Sequence, residues 1–291
     1  MSADEEKVDI SSASSRAEGL PPKIGIIAGG GDLPQRLMNA CDEQGVDVFV
    51  VALEGHAAPD VVEGRYHLWS RLGAVGTILK ALREHEVRDL VLIGSVRRPS
   101  ISEIMPDMKA MAFFSKAGIK ALSGDDSLLV ALRGFLEEEG FNIHGVHKFA
   151  KDLLMPHGVL GKVQPSKDMW SDINRGVEVS QILGKLDVGQ AVVVQQGLVL
   201  GVEAIEGTDQ LLSRCTALRR KGAGGVLVKT CKPQQDRDLD MPTIGLTTLE
   251  AAHRCGLAGI AVHAGNSLVV GLDEIVAFAN KNKMFVVGVE A

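Results

Sequence analysis

The side chains best suited to chemistry gather in residues 187–245. Behind the apolar runs Ala191–Gln195 and Leu198–Val202 comes a string, 202–209, that carries Glu206, Thr208 and Asp209. A third apolar run, 225–229, ends at Lys229 and opens onto a polar string over 232–240, where Asp236, Arg237, Asp238 and Asp240 stand between Pro233 and Pro242. Carboxylates and cations set side by side can do electrostatic and acid–base work. Loops at strand ends are where a rigid sheet places such groups. Acidic loop residues also face water with no further role; the mixture of signs and the flanking prolines favour an active centre over a solvated loop.

A second group is built for binding. The strand expected over 23–28 breaks at Gly29, Gly30 and Gly31, followed by Asp32 and Leu33, and runs into a helix over 33–45. Glycine lets a backbone approach phosphate, and a helix N-terminus presents free N–H groups with a partial positive charge. Gly29 and Gly31 match the first two glycines of a dinucleotide fingerprint, but Pro34 stands at the third, where helix must pack closely on strand. Proline is at home in a first helical turn. The loop therefore reads as a nucleotide loop of another kind than a nicotinamide one, or as a structural turn. Gly94, Ser95, Arg97 and Arg98 follow the strand expected over 89–94, where guanidinium forks suit phosphate unless they form only a solvated basic turn. Asp125 and Asp126 precede a helix over 127–139 and can cap it or serve catalysis.

Positioning these groups calls for an α/β fold of two domains. The first, over 23–147, is Rossmann-like with a mainly parallel sheet: a second strand over 46–53 is nearly continuous in apolar residues, and a helix over 73–86 leads to the strand at 89–94. Residues 148–167 read as a crossover linker rich in Pro and Gly. The second domain, 168–291, is a mixed-sheet α/β domain. Its helices are expected over 169–186, 210–221, 248–256 and 273–282, and its strands over 225–230, 259–263 and 284–289 around the hairpin. His144 and His147, on a strand expected over 141–147, would point to opposite faces and so suit structural roles better than a shared metal. Residues 108–122, with Met108, Met111, Phe113 and Phe114, form either an amphipathic surface for acyl chains or membrane, or a core-facing stripe.

Composition narrows the class. At 291 residues and 45% hydrophobic, the chain can build one large or two ordinary cores. A net charge of -6 gives no reason to expect nucleic acid as a partner. Four scattered cysteines without a Cys-x-x-Cys pair suggest neither a zinc site nor a disulfide framework, which fits a reducing cytosol. No apolar run approaches the roughly 18 residues of a membrane span. Residues 1–22 are polar and acidic, a disordered tail rather than a signal peptide.

Seven strings in order, spread over nearly everything but the tail, carry a resemblance. They are IAGGGDLP at 27–34, LGAVG at 72–76, GSVRRP at 94–99, GDD at 124–126, DVGQ at 187–190, VEAIEGTD at 202–209, and KPQQD at 232–236 continuing to PTIG at 242–245. With these the chain resembles the UDP-2,3-diacylglucosamine pyrophosphatases of lipid A biosynthesis, the two-domain type unrelated to calcineurin-like phosphoesterases. Ser95 is a departure, standing where many relatives are expected to carry lysine. The resemblance implies magnesium-dependent hydrolysis of UDP-2,3-diacylglucosamine to UMP and 2,3-diacylglucosamine 1-phosphate, lipid X. It places the catalytic, metal-holding aspartate at Asp236, with Asp209 and Glu206 as assisting metal ligands. Substrate would be bound by Gly30, Gly31, Asp32, Leu33, Gly94, Ser95, Arg97, Asp125, Asp126, Thr208 and Lys229. A lipid-linked UDP-sugar substrate implies peripheral contact with the cytoplasmic face of the inner membrane, and a homodimer is the commonest assembly. Two other classes stay open: a nicotinamide-dependent oxidoreductase with Glu54 on a ribose hydroxyl, and a non-catalytic nucleotide-binding regulator.

Overall fold

The structure, a computed structural model, describes residues 19–97, 104–121 and 125–291, the side chains of 119–121, 125 and 126 excepted. In the first domain β1 (Lys23–Ala28), β2 (Asp47–Leu53), β3 (His67–Ser70), β4 (Asp89–Ile93) and β5 (Asn142–Ile143) form a parallel sheet in the order β3-β2-β1-β4-β5. The strands are apolar almost throughout because both faces are buried. Ile24, Ile26, Val50, Ala52 and Val91 join one core beneath α1 (Leu33–Glu43). Phe49, Val51 and Leu90 join another with α2 (Val75–Glu84) and α4 (Asp125–Glu138). Between those two helices lies α3 (Met108–Ala121), interrupted at Gly118 and packed against both.

The second sheet is mixed and runs β6-β13-β11-β9-β7-β8. Its parallel centre is β9 (Val226–Lys229), β11 (Gly259–His263) and β13 (Phe285–Val289). On its flanks β6 (Gly158–Leu160) and the hairpin β7 (Ala191–Gln195) and β8 (Leu198–Val202) pair antiparallel. One face is covered by α5 (Lys167–Lys185), whose first turn is capped by the Ser166 side chain accepting from the Met169 N–H. Gly176 lets α5 lie close on the sheet, since a Cβ there would stand 2.4 Å from Val228. The other face carries α6 (Gly207–Cys215), α7 (Leu246–Arg254) and α8 (Leu272–Lys281). A separate parallel pair, β10 (Thr243–Ile244) and β12 (Leu268–Val269), sits at the carboxyl end of this sheet's parallel strands.

Both domains are thus α/β, the first with a parallel and the second with a mixed sheet. Three local expectations change. The strand read over 141–147 keeps only two residues before turning into a 3-10 helix, Val146–Lys148. Strand β3 was not foreseen. Within 148–167, Phe149, Ala150 and Leu153 belong to the first core, and β6 completes the second sheet. Those residues are part of both domains' cores as well as a link between them.

The segment 232–242 of the second domain is wedged into the first. Leu239 is buried in the core under α2 and α4, while Met241 is buried in the core beneath α1. Apolar anchors on both faces of one sheet hold the acidic string in place, so it is not a free loop.

Candidate active site

Strand order in the first sheet reverses between β1 and β4, and ligands of open α/β sheets bind outside the carboxyl ends of strands at such a point. The glycine loop lies there. Gly29 donates to the Ile93 carbonyl at 2.8 Å, and Gly30 and Ser95 exchange backbone bonds of 2.8 and 2.9 Å. Gly94, with φ of 98°, comes so near that a Cβ on it would stand 2.8 Å from the Gly29 and Gly30 backbone. Gly29 and Gly30 therefore spend their N–H groups within the protein. What remains for an anion is the turn beyond: Gly31 at φ 85°, Asp32 without a side-chain cap bond, and the first turn of α1. Leu33 is partly buried and packs on the core, so its backbone is better placed than its side chain to face a ligand. Arg97 is exposed; Arg98 and Pro99 lie outside the described residues, as do the side chains of Asp125 and Asp126.

The acidic string meets the first domain through a residue that sequence reasoning missed. Arg133, on α4, places Nη1 2.6 Å from Oδ2 of Asp236 and 3.3 Å from Oδ2 of Asp238. Its Nε holds Glu137 at 2.9 Å. Hydrogen bonds to Glu137 and then Asp236 raise its already high pKa further, so the guanidinium is a permanent cation. Asp236 also accepts from the Asp238 N–H at 3.0 Å, which fixes the turn. Asp238 accepts from the Gly145 N–H at 3.1 Å and lies 3.8 Å from Nε2 of His147. His147 thus stands at the domain seam with its Nδ1 buried and, among the described residues, without a hydrogen-bond partner. His144 is the structural histidine, with Asp89 at 2.6 Å.

Behind Asp236 the string is braced. Gln235 accepts from the Lys232 N–H at 3.1 Å and donates to Asp240 at 2.6 Å, while the Lys232 ammonium holds Asp187 at 2.6 Å. Arg237 donates to Asn266, whose amide lies 2.8 Å from Nε2 of His263. Burial, and then the charge of Arg237, push the His263 imidazole below its ordinary pKa.

Of the other expected site residues, Thr208 and Lys229 come together. The Lys229 ammonium donates to the Thr208 hydroxyl at 3.2 Å and to the Thr243 carbonyl at 3.1 Å, and Thr208 donates to Glu203 at 2.6 Å. Glu203, a buried carboxylate within the string 202–209, is the member passed over in favour of Glu206. Glu206 is engaged by Arg214 at 2.8 Å, and Asp209 is exposed on α6. Asp209, Glu206 and Asp236 do not gather: among the described residues no three His, Cys, Asp or Glu side chains converge as metal ligands.

In α3, Phe113 is buried against Phe135, a core residue, whereas Met108 and Met111 are exposed, as is Met105 ahead of the helix. Among the described residues no helix is long and apolar enough to cross a membrane.

The two halves of this arrangement correspond to known ones. A family model described as the LpxI N-terminal domain matches residues 23–153, and one described as the LpxI C-terminal domain matches residues 156–287. The curated UDP-2,3-diacylglucosamine pyrophosphatase LpxI of Caulobacter vibrioides is 40% identical over 275 residues, covering 92% of this chain and 98% of that protein. Both domains and the seam that joins Arg133 to Asp236 fall inside these matches, and the chain belongs to the LpxI family.

Proposed function

We infer that the chain hydrolyses the pyrophosphate bond of UDP-2,3-diacylglucosamine to give UMP and 2,3-diacylglucosamine 1-phosphate, a step of lipid A biosynthesis. The observation that carries this reading is the end-to-end match to a curated pyrophosphatase, with both domains included. The geometry supports it. Pyrophosphate hydrolysis asks a protein to position one water and to neutralise charge on phosphoryl oxygens. The turn after the glycine loop offers backbone N–H groups to phosphate, and the seam offers a carboxylate pair beside a guanidinium. Asp236 is assigned to orient the attacking water, and Lys229 and the first turn of α1 to bind phosphate.

Magnesium is the cofactor of this reading. Magnesium takes one or two protein carboxylates together with substrate phosphate and waters. Asp236 and Asp238 fit that donor count: two hard oxygen ligands side by side at Nη1 of one guanidinium, with Glu137 apart from them on Nε. Bound there, the ion would supply charge neutralisation at the phosphoryl oxygens. Asp209 and Glu206 have other surroundings and are not needed.

Peripheral contact with the inner membrane belongs to the same reading. Met108 and Met111, one turn apart on α3, form an exposed apolar pair, and Lys109 and Lys116 of the same helix, paired with Glu139 and Glu138 but still 50 and 66% exposed, lie at the surface beside them. Incubation of the purified chain with UDP-2,3-diacylglucosamine, with and without magnesium, followed by mass spectrometry, tests the assignment. UMP and lipid X are expected with magnesium alone; intact substrate in both would overturn it.

A further inference from the structure

Two carboxylates of the second domain share one cation of the first. The side chains of Asp236 and Asp238 are 22 and 35% exposed, close enough to solvent to be reached but sheltered enough for their charges to be felt. Against them stands Arg133, 27% exposed, which also carries Glu137. One guanidinium facing three carboxylates leaves the seam net negative, and an anionic pyrophosphate would be repelled from it. A divalent cation on Asp236 and Asp238 reverses that balance. Once those carboxylates are neutralised, the guanidinium is a surplus positive charge beside the place where pyrophosphate must lie. Its Nη2 makes no hydrogen bond among the described residues, so a donor is already open. Arginine suits the exchange, since its planar fork pairs equally well with carboxylate and phosphate and cannot be discharged.

We propose that Arg133 is a substrate-binding residue of the pyrophosphatase, held by Asp236 and Asp238 in the ligand-free enzyme and passed to the pyrophosphate when a divalent cation takes those carboxylates. The exchange makes the cation and the arginine competitors for the same oxygens. It also couples the domains, because the arginine and the aspartates belong to different ones. This rests on the magnesium reading of the site, and the test separates the two.

Magnesium binding is measured by titration calorimetry without substrate, on the full chain and on Arg133→Gln and Asp236→Asn, each checked for folding by circular dichroism. Arg133→Gln should bind magnesium about fivefold more tightly than the parent, since the competing charge is gone. Its KM for UDP-2,3-diacylglucosamine should rise about tenfold, since a charge-assisted phosphate contact is lost. Arg133→Lys, which keeps the charge, should bind magnesium like the parent yet keep a raised KM, and it serves if the glutamine variant does not fold. Unchanged or weaker magnesium binding by Arg133→Gln, with binding by the parent abolished in Asp236→Asn, overturns the exchange and leaves the metal site standing. Absence of Asp236-dependent magnesium binding in both the parent and Arg133→Gln overturns the metal reading and the exchange together.

Discussion

The guanidinium of Arg133 lies 2.6 Å from the carboxylate of Asp236, across the seam between the two domains. The acidic string therefore has its charge partner only when the domains are assembled, and the burial of Leu239 and Met241 in the first domain's cores is what assembles them there.

Replacing Asp236 by alanine should lower turnover by about two powers of ten while leaving the fold nearly intact. The ion pair it loses is only partly exposed, but Arg133 keeps Glu137 and Asp238 as partners, so the cost stays at about 1 kcal/mol. Intact substrate, rather than product, should copurify with the variant. Asp240→Asn is the control, because the Asp240 carboxylate is bonded to Gln235 within the string. Asp238 cannot serve as one, since it holds both Arg133 and the Gly145 N–H. A near-parental rate for Asp236→Ala in saturating magnesium would overturn its catalytic role.

At Gly29 a Cβ would stand 2.6 Å from the Ser95 carbonyl oxygen and 2.9 Å from Gly94 backbone. Backbone on both sides cannot step aside as a flexible side chain can. Gly29→Ala should push the β1 loop away from β4, costing about 1–3 kcal/mol and raising KM for the nucleotide. Denaturation midpoints and UMP inhibition constants, measured side by side, check it; parental values of both would show that the two loops need not touch.

If α3 meets lipid as proposed, the exposed Met108 and Met111 are the side chains to do so, since Phe113 is buried. Met108→Glu combined with Met111→Glu should weaken sedimentation with anionic vesicles and slow hydrolysis of vesicle-borne substrate, at unchanged thermal stability. Phe113→Asp should instead unfold α3 from its neighbours, because Phe113 is core. Equal vesicle binding by the double variant and the parent would remove α3 from the membrane contact.

His263 makes stability depend on pH. Burial and Arg237 hold its imidazole below the ordinary value of 6.5, so the folded form keeps the ring neutral where the unfolded chain already takes up a proton. Stability from this residue is fully present above the unfolded value and is lost as pH falls from there toward the folded value. His263→Gln should flatten the slope of unfolding free energy just below about pH 6.5 in urea titrations. An unchanged slope would assign the acid sensitivity to other groups.

Much of the architecture was written locally. Apolar runs bounded by glycine made β1, β2, β4, β9, β11 and β13 legible, because a strand buried on both faces shows its burial in its own composition. The glycine loop was legible for a similar reason: Gly31 and Gly94 adopt positive φ, a demand that a single residue type meets. The string 232–240 announced itself by mixed charge. Shorter features escaped: β3 sits at a sheet edge with partly exposed side chains, and β6 has no fully buried residue at all.

The site itself was decided by tertiary structure. Arg133 and Asp236 are 103 positions apart, and nothing around Arg133 distinguishes it from any other cation on a helix. Which carboxylate meets which cation depends on how the domains pack, and that follows from Leu239 and Met241 finding cores that their own neighbours do not form. The same packing put His147 at the seam. Charge in a sequence shows that a group can do chemistry; only the fold decides its partner, because an ion pair forms between neighbours in space and local sequence holds no record of them.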